Sequence, residues 1–377
     1  MSPLTTSPTV KEIRPLTRID GPEIQDLARG AAILGTGGGG DPYVGRLLAE
    51  AAVRERGPVG IVQVADVPDD AVVVSAAMMG APTVMVEKLP TGTQFAQAVR
   101  NLTDRLGIVP THIACIEAGG VNSTTPIVAA AELGLPLIDA DGMGRAFPEV
   151  QMVLPTLYGH AAAPMAVADE KGNSLVLDTI DNRWAERLAR TATVEMGCSV
   201  STAQYVLTGA QLKQSYVPGT LSLCVELGRT LLRARAGNAD PVAAVAEVLS
   251  GRILFEGKVI DVERRTQTGF ARGTARVSGV GADQDRTAML RFQNEHLLVE
   301  VEGRIETTAP DLIIVLEADT GEPITTEGLR YGARVRIVTA PADPRWHSAA
   351  AHDLAGPAYF GYDTDPVLFD GVVVSGS

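Results

Sequence analysis

Residues 113–139 read IACIEAGGVNSTTPIVAAAELGLPLID, and this segment shows most clearly the alternation of strand and helix that predicts the first part of the fold. Its two ends, 113–117 and 135–139, are short apolar runs typical of buried strands, and residues 125–133 between them are predicted to form a helix. A strand, a helix and a second strand in this order predict two parallel strands of one sheet, with the helix packed on its face.

The same alternation continues on both sides of this segment. Further apolar strands are predicted at 61–64, 72–77, 150–154 and 165–168. Residues 91–106 have the apolar spacing of a helix. The strands after residue 150 would make the sheet mixed on that side. We expect residues 1–175 to form a three-layer α/β domain whose sheet is mostly parallel.

After residue 178 the pattern changes. Helices are predicted at 184–196, 220–235 and 241–249. Between residues 253 and 338 apolar and polar residues alternate with a period of two, and turn residues such as Asn294-Glu295 interrupt them, which predicts antiparallel strands. We expect residues 176–377 to form a helical segment plus an antiparallel β-domain. The whole chain is then a two-domain α+β protein.

The composition excludes several classes of partner. The 377 residues are 45% hydrophobic and carry a formal net charge of −13, and no basic stripe offsets this charge, so nucleic acid is not an expected partner. No apolar run approaches the roughly 18 residues of a membrane span, so none is expected. The N-terminus lacks a signal-peptide pattern. Three widely separated cysteines (Cys115, Cys198 and Cys224) fit a reduced compartment, and we expect a cytoplasmic protein.

A glycine run at residues 33–42, ILGTGGGGDP, joins two helical patterns. Glycines allow positive φ and let the backbone lie against a ligand, and consecutive N–H groups can bind an anion. We predict that the substrate contacts Thr36, Gly37, Gly38, Gly39 and Gly40. The alternative is a tight loop needed only for packing. Phosphate or nucleotide binding is disfavoured because no Gly-Lys-Ser/Thr follows and Asp41 would repel phosphate.

Acidic side chains follow two predicted strands where each strand ends: Glu117 after one, and Asp139 and Asp141 after the next. The carboxyl ends of parallel strands meet at one edge, where repulsion and desolvation would raise at least one pKa and permit general acid–base chemistry. The cluster could equally hold a divalent cation. The structural alternatives are that Asp139 caps a turn, Asp141 forms an Asx-turn and Glu117 pairs with Arg145.

Polar residues near these acids complete the candidate site. Asn122 follows two glycines and could donate to a substrate carbonyl, although it or Ser123 could instead cap the helix that begins near residue 125. Arg145 could neutralise the acids or bind a carboxylate substituent. His160 is the best histidine candidate for a metal ligand or a base, but the five histidines lack the spacing of a zinc motif.

Four segments resemble one known family: LGTGGGGDP (34–42), EAGGVNS (117–123), GLPLIDADGMGRAFPE (134–149) and GPAYFGYD (356–363). By these motifs the chain is similar to the S-methyl thiohydantoin desulfurase family over nearly its whole length. The resemblance implies an α/β domain followed by a largely β domain, and a hydrolase. It implies conversion of a cyclic S-methyl isothiourea into a hydantoin and methanethiol, in hydantoin-type metabolism that includes ergothioneine breakdown.

For this reaction, the predicted site places Asp139 or Asp141 as the base that activates water, with Glu117 as the acid. Glycine-run amides and Asn122 would hold the ring carbonyls. Were a divalent metal present, Asp139, Asp141 and His160 would be its ligands. The competing hypothesis is a non-catalytic partner or regulatory subunit of a hydantoinase/oxoprolinase system, with which the family is often encoded. We expect a small cyclic substrate and a homo-oligomer.

Overall fold

The structure, a computed structural model, describes residues 13–80, 92–267 and 270–374. For residues 266 and 267 it describes the backbone only. The N-terminal residues 1–12 and the first residue of the helix predicted at 91–106 lie outside these ranges. Within the described residues, no helix is both long and apolar enough to cross a membrane.

The larger of two sheets forms the first domain and has, in the described ranges, nine strands, the last two of them from residues 199–218. They are β1 (Arg18–Ile19), β2 (Val59–Val62), β3 (Val72–Gly80), β4 (His112–Cys115), β5 (Leu137–Asp141), β6 (Met165–Ala168), β7 (Ser174–Leu177), β8 (Ser199–Thr208) and β9 (Val217–Pro218). Their order is β1-β2-β5-β4-β3-β8-β6-β7, with β9 on β5. Strands β2, β5, β4 and β3 are parallel, and β1, β8, β6, β7 and β9 each pair antiparallel with their neighbours.

The helices of the described residues pack on this sheet, on one another and on the second sheet. They are α1 (Gly21–Leu34), α2 (Tyr43–Arg56), α3 (Thr93–Leu106), α4 (Thr125–Leu133), α5 (Leu154–Leu157), α6 (Asn182–Glu195), α7 (Gly209–Ser215), α8 (Thr220–Ala236), α9 (Pro241–Val248) and α10 (Ala349–Ala355). Helices α1 and α8 approach so closely that a Cβ at Gly30 would overlap the Cys224 carbonyl. Because a strand–helix–strand unit must bury both sheet faces, the parallel centre lies between helical layers.

The second sheet is antiparallel throughout the described residues. Its strands are β10 (Arg252–Gln267), β11 (Phe270–Gly279), β12 (Thr287–Gln293), β13 (Glu295–Val301), β14 (Arg304–Thr308), β15 (Leu312–Glu317) and β16 (Arg334–Ala340), in the order β14-β13-β12-β11-β10-β16-β15. Alternate side chains such as Phe255, Val277 and Leu290 form its own core. The predicted two-domain α+β class is confirmed.

The two domains share a hydrophobic core, which fixes where the site lies. Leu297, Ile314 and Val338 of the second sheet pack into the core of the first domain. Trp346 is buried at the same boundary and donates from Nε1 to the Met143 carbonyl at 2.7 Å. As a result, the turn between β12 and β13 lies against the carboxyl ends of the parallel strands.

Candidate functional site

A cleft with an interior volume of about 100 Å³ opens between the parallel sheet and the β12–β13 turn. The wall comes from the glycine loop (Gly37–Gly40), the end of β3 (Ala77–Gly80), the loop after β4 (Ile116, Glu117, Val121, Asn122), the loop after β5 (Met143, Phe147–Val150), Arg190, Thr202, Gln204, Asn294, Glu295 and Thr325–Glu327.

Gly37–Gly40 of the glycine loop line the cleft, and their backbone also approaches the second domain. Gly37 and Gly39 have φ of 91° and 70°, a region that side chains rarely adopt. A Cβ at Gly38 would overlap the Glu295 carboxylate. The Gly39 N–H donates to Glu295 Oε1 at 3.2 Å. The run of glycines therefore permits a close contact with one carboxylate as well as forming a wall of the cleft.

Glu117 lines the cleft, and its side chain is only partly satisfied. The residue is 6% exposed, and its Oε1 accepts from Asn122 Nδ2 at 2.7 Å. Its Oε2 has no hydrogen-bond partner among the described residues. Burial raises the pKa of Glu117 well above its usual range, and the neighbouring Glu295 charge raises it further.

Asn122 is a positioning residue for Glu117. Its side-chain amide pairs with the backbone of Met78, accepting from the N–H at 2.6 Å and donating to the carbonyl at 3.1 Å. These two contacts fix which end of the amide is the donor, so the Nδ2 group points at Glu117. The helix-cap alternative for Asn122 is not what the structure contains, because no side chain caps α4.

Glu295, the first residue of β13, is the second carboxyl group on the cleft wall. It is 2% exposed, and its Oε2 has no partner among the described residues. Burial raises the pKa of Glu295 to about 7, against an opposing effect of the Arg145 charge. Two buried carboxyl groups that repel each other across one cleft favour a state in which only one of them is ionised.

Glu295 was not among the candidates drawn from the sequence, which treated Asn294-Glu295 only as a turn. The structure confirms the turn: Asn294 has φ of 58° and accepts from the Ala271 N–H at 2.9 Å through its Oδ1. The one signal that could have drawn attention to Glu295 is its position, a carboxylate at the start of a largely apolar strand, EHLLVEV.

Asp139 lies away from the cleft, and its predicted role as base is not supported. Its Oδ1 accepts from the backbone N–H groups of Leu221 and Ser222, both at 3.0 Å. Its Oδ2 accepts from the Ser222 hydroxyl, and from Gln63 at 3.2 Å. These amides begin α8, so Asp139 caps that helix from another segment of the chain, where a negative charge complements the helix dipole.

We expect Asp139→Asn to destabilise the fold by about 1–2 kcal/mol, the usual loss for a helix cap. Asparagine keeps one oxygen but loses the charge, and its NH₂ group would face donors on Ser222 and Gln63. Urea unfolding measures the loss. The matched control is Asp178→Asn, at a 61% exposed carboxylate that pairs with Arg105. Equal midpoints for the two variants would show that Asp139 does not cap α8.

Asp141 also binds backbone amides outside the cleft wall. It accepts from the N–H groups of Ala118 at 2.9 Å, Met143 at 3.1 Å and Gly144 at 2.9 Å. Burial raises the pKa of Asp141 to about 6 despite these bonds. The Asx-type alternative is the one seen, because Asp141 closes the turn that follows β5. Through Ala118 it also holds the loop that carries Glu117, which makes it a positioning residue.

Arg145 is completely buried and does not line the cleft, which corrects its predicted role in binding a substrate carboxylate. All five of its N–H groups are used. They donate to Ala146 O (3.0 Å), Pro310 O (2.6 Å), Asp311 O (2.8 Å), Thr36 Oγ1 (2.9 Å) and His296 O (3.5 Å). Arg145 therefore joins the two domains, and no hydrogen bond pairs it with Glu117. Thr36, its buried partner, likewise lies behind the cleft wall.

His160 does not join the acids in the structure. It lies after α5, where its backbone carbonyl accepts from Asn182 Nδ2 at 3.0 Å, and burial lowers its pKa. In the ranges 13–80, 92–267 and 270–374, no three His, Cys, Asp or Glu side chains group in a way that could hold a metal ion. The hypothetical ligand set of Asp139, Asp141 and His160 is therefore not assembled.

The fold and the cleft define a class: a two-domain α+β protein with a buried, partly unpaired carboxyl pair between its domains. Sequence models of S-Me-THD-like proteins match nearly the whole chain, the N-terminal domain over residues 22–179 and the C-terminal domain over residues 180–368. The chain belongs to this family, the S-methyl thiohydantoin desulfurase family, as its motifs implied.

One solved structure is similar over nearly its full length. It is a crystal structure of a protein from Chromobacterium violaceum, with a TM-score of 0.74 and 23% sequence identity, covering 92% of this chain and 98% of that one. At this identity the similarity shows the fold alone. No curated protein matches the chain.

Proposed function

We propose that this protein is a hydrolase of a small cyclic amide- or amidine-type ring, and that it converts an S-methyl thiohydantoin and water into a hydantoin and methanethiol. The proposal rests on one observation. Glu117 and Glu295 line the same cleft, and each has a buried carboxyl oxygen without a hydrogen-bond partner among the described residues. An unpaired buried carboxyl group destabilises a fold, so two together favour a role in chemistry. Family membership supports the choice of ring.

The carboxyl pair offers an acid and a base for this reaction. Glu295, with a pKa of about 7, is the group that ionises and accepts a proton from water as the oxygen adds to the ring carbon bearing sulfur. Glu117, whose pKa is held well above its usual range by burial and by the Glu295 charge, is the acid and donates its proton to a ring nitrogen. The product of this step is a tetrahedral carbon bonded to OH, SCH₃ and two nitrogens.

The second step breaks the carbon–sulfur bond and restores both groups. Ionised Glu117 takes the hydroxyl proton as the carbonyl forms. Protonated Glu295 gives its proton to the departing methanethiolate. The net change is one water consumed and one methanethiol released for each ring, with no oxidant or reductant.

Other parts of the wall suit the same substrate. Backbone N–H groups of the glycine loop can hold a polarised ring oxygen, a form of electrostatic stabilisation. The apolar side chains of Met78, Met143 and Phe147 provide a surface for the S-methyl group. Thioethers and aromatic rings make favourable contacts with sulfur.

The test is methanethiol release from 2-methylthio-imidazol-4-one rings, measured with a thiol reagent across pH. We expect a bell-shaped profile: kcat rises as pH increases through about 7, because Glu295 must be ionised, and falls at higher pH, when Glu117 loses its proton. An acid limb near 4.3, the ordinary glutamate value, would contradict the assignment of Glu295. No thiol from any such ring would contradict the function.

A further inference from the structure

A third unpartnered polar side chain, Gln204, lies in the same cleft and has no role in the acid–base steps. It lies on β8 opposite Ser75 of β3, in the centre of the first sheet. The residue is 2% exposed, and it lines the cleft with Glu117 and Glu295. Its Oε1 atom has no hydrogen-bond partner among the described residues.

A buried amide oxygen without a hydrogen-bond partner is unfavourable for a side chain whose only role is structural. Buried polar groups in native proteins are almost always hydrogen-bonded, because an unmade bond leaves the full desolvation cost in place. The neighbours of Gln204 on β8, Ala203 and Tyr205, are buried like it. An apolar residue at 204 would suit this strand better unless a ligand supplies the missing partner.

We propose that Gln204 binds the cis-amide edge of the substrate ring, the N3–H and C4=O groups. Its Oε1 accepts from N3–H and its Nε2 donates to the C4 oxygen. This inference rests on the proposed function, since it assigns the ring that the carboxyl pair hydrolyses. A carboxamide and a cis amide present matching donor and acceptor pairs, which allows two parallel hydrogen bonds.

The assignment also orients the ring for the reaction. Carbon C2, which carries the sulfur, lies between N1 and N3. With N3 bound to Gln204, N1 is the nitrogen left for the proton of Glu117. The two residues then hold the nitrogens on either side of the reacting carbon, so that rotation of the ring in its plane is prevented.

Binding of the reaction product tests the inference without turnover. Hydantoin, 1-methylhydantoin and 3-methylhydantoin are titrated by calorimetry into wild type, Gln204→Met and Gln204→Leu. We expect wild type to bind 3-methylhydantoin at least tenfold more weakly than 1-methylhydantoin. In both Gln204 variants the two methylhydantoins are expected to bind with affinities within about threefold of each other, because the oxygen that accepts from N3–H is absent.

The matched control is Gln293→Met. Gln293 is 3% exposed and its Oε1 is likewise unpartnered in the described chain, but it lies outside the cleft. This variant is expected to keep the wild-type ratio. Thermal unfolding of all variants confirms that they are folded before titration.

The outcomes separate the two proposals. If the variants keep the wild-type preference while wild type releases methanethiol, the role of Gln204 is wrong and the function stands. If the preference depends on Gln204 but no thiol is released, the hydrolytic function is wrong and the binding role stands. If wild type binds none of the three rings, the role of Gln204 is wrong, and methanethiol release alone decides the function.

Discussion

Glu117→Gln is expected to lower kcat for methanethiol release by about 10²- to 10⁴-fold, the usual contribution of a general acid. Glutamine has the same shape and keeps an oxygen for Asn122, but it has no proton to give. The same change removes a buried carboxyl group that Glu295 repels. The free energy of unfolding should therefore stay equal to that of wild type or rise, and the loss of rate cannot be ascribed to misfolding.

Glu132→Gln is the control for this variant. Glu132 lies on α4, in the segment that follows Glu117, and pairs with Arg56 at 3.3 Å on the surface. It should keep the wild-type rate. A Glu117→Gln protein that turns over within a few-fold of the Glu132→Gln protein would remove Glu117 from the mechanism.

Arg145→Met is expected to destabilise the protein by about 3–5 kcal/mol, the range for removing one partner of a buried charged network. Methionine fills a similar volume but donates nothing. The carbonyl groups of Pro310 and Asp311 and the hydroxyl of Thr36 would then be buried without the donors they have now. Arg145→Lys should fall between wild type and Arg145→Met, because an ammonium group cannot reproduce the five-donor fork.

Urea unfolding of the purified variants measures this loss, with Arg304→Met as the control. Arg304 is 74% exposed and pairs with Glu306 on the surface, where such pairs contribute about 0–1 kcal/mol. Arg145→Met and Arg304→Met proteins with the same unfolding midpoint would show that Arg145 does not join the domains.

The fold was largely predictable from the sequence because its signals are local. The segment 113–139 includes α4 and most of β4 and β5, and the structure pairs the two strands parallel. The period-two pattern after residue 253 likewise gave the antiparallel sheet. The antiparallel partners of β3 and β6 were harder to predict, since β8 comes from residues expected to belong to the second unit and lies between them.

The site was only partly predictable because its two carboxyl groups come from different domains. Glu117 was found from its place after a strand. Glu295 reaches the cleft through the way the β12–β13 turn packs on the glycine loop, and no spacing in the sequence records that contact. Whether a carboxylate of this chain lies in the cleft therefore depends on how the two domains pack together.

Asp139 and Asp141 were predicted to be catalytic, but tertiary contacts that the sequence does not show give them structural roles. Their position at the end of a predicted strand matched the pattern of a catalytic carboxylate as well as the position of Glu117 did. What distinguishes them is the number of backbone N–H groups that reach them, two for Asp139 and three for Asp141. Those donors come from α8 and from loops whose placement the sequence does not reveal.

In the proposed mechanism, a carboxyl pair formed across the two domains performs the hydrolysis. The most direct measurement compares methanethiol release by Glu295→Gln and Glu300→Gln. Both substitutions are on β13, but the Glu300 carboxylate pairs with Arg291 at 3.0 Å outside the cleft. We predict a loss of at least about 100-fold for Glu295→Gln and the wild-type rate for Glu300→Gln. Equal rates for the two variants would contradict the claim.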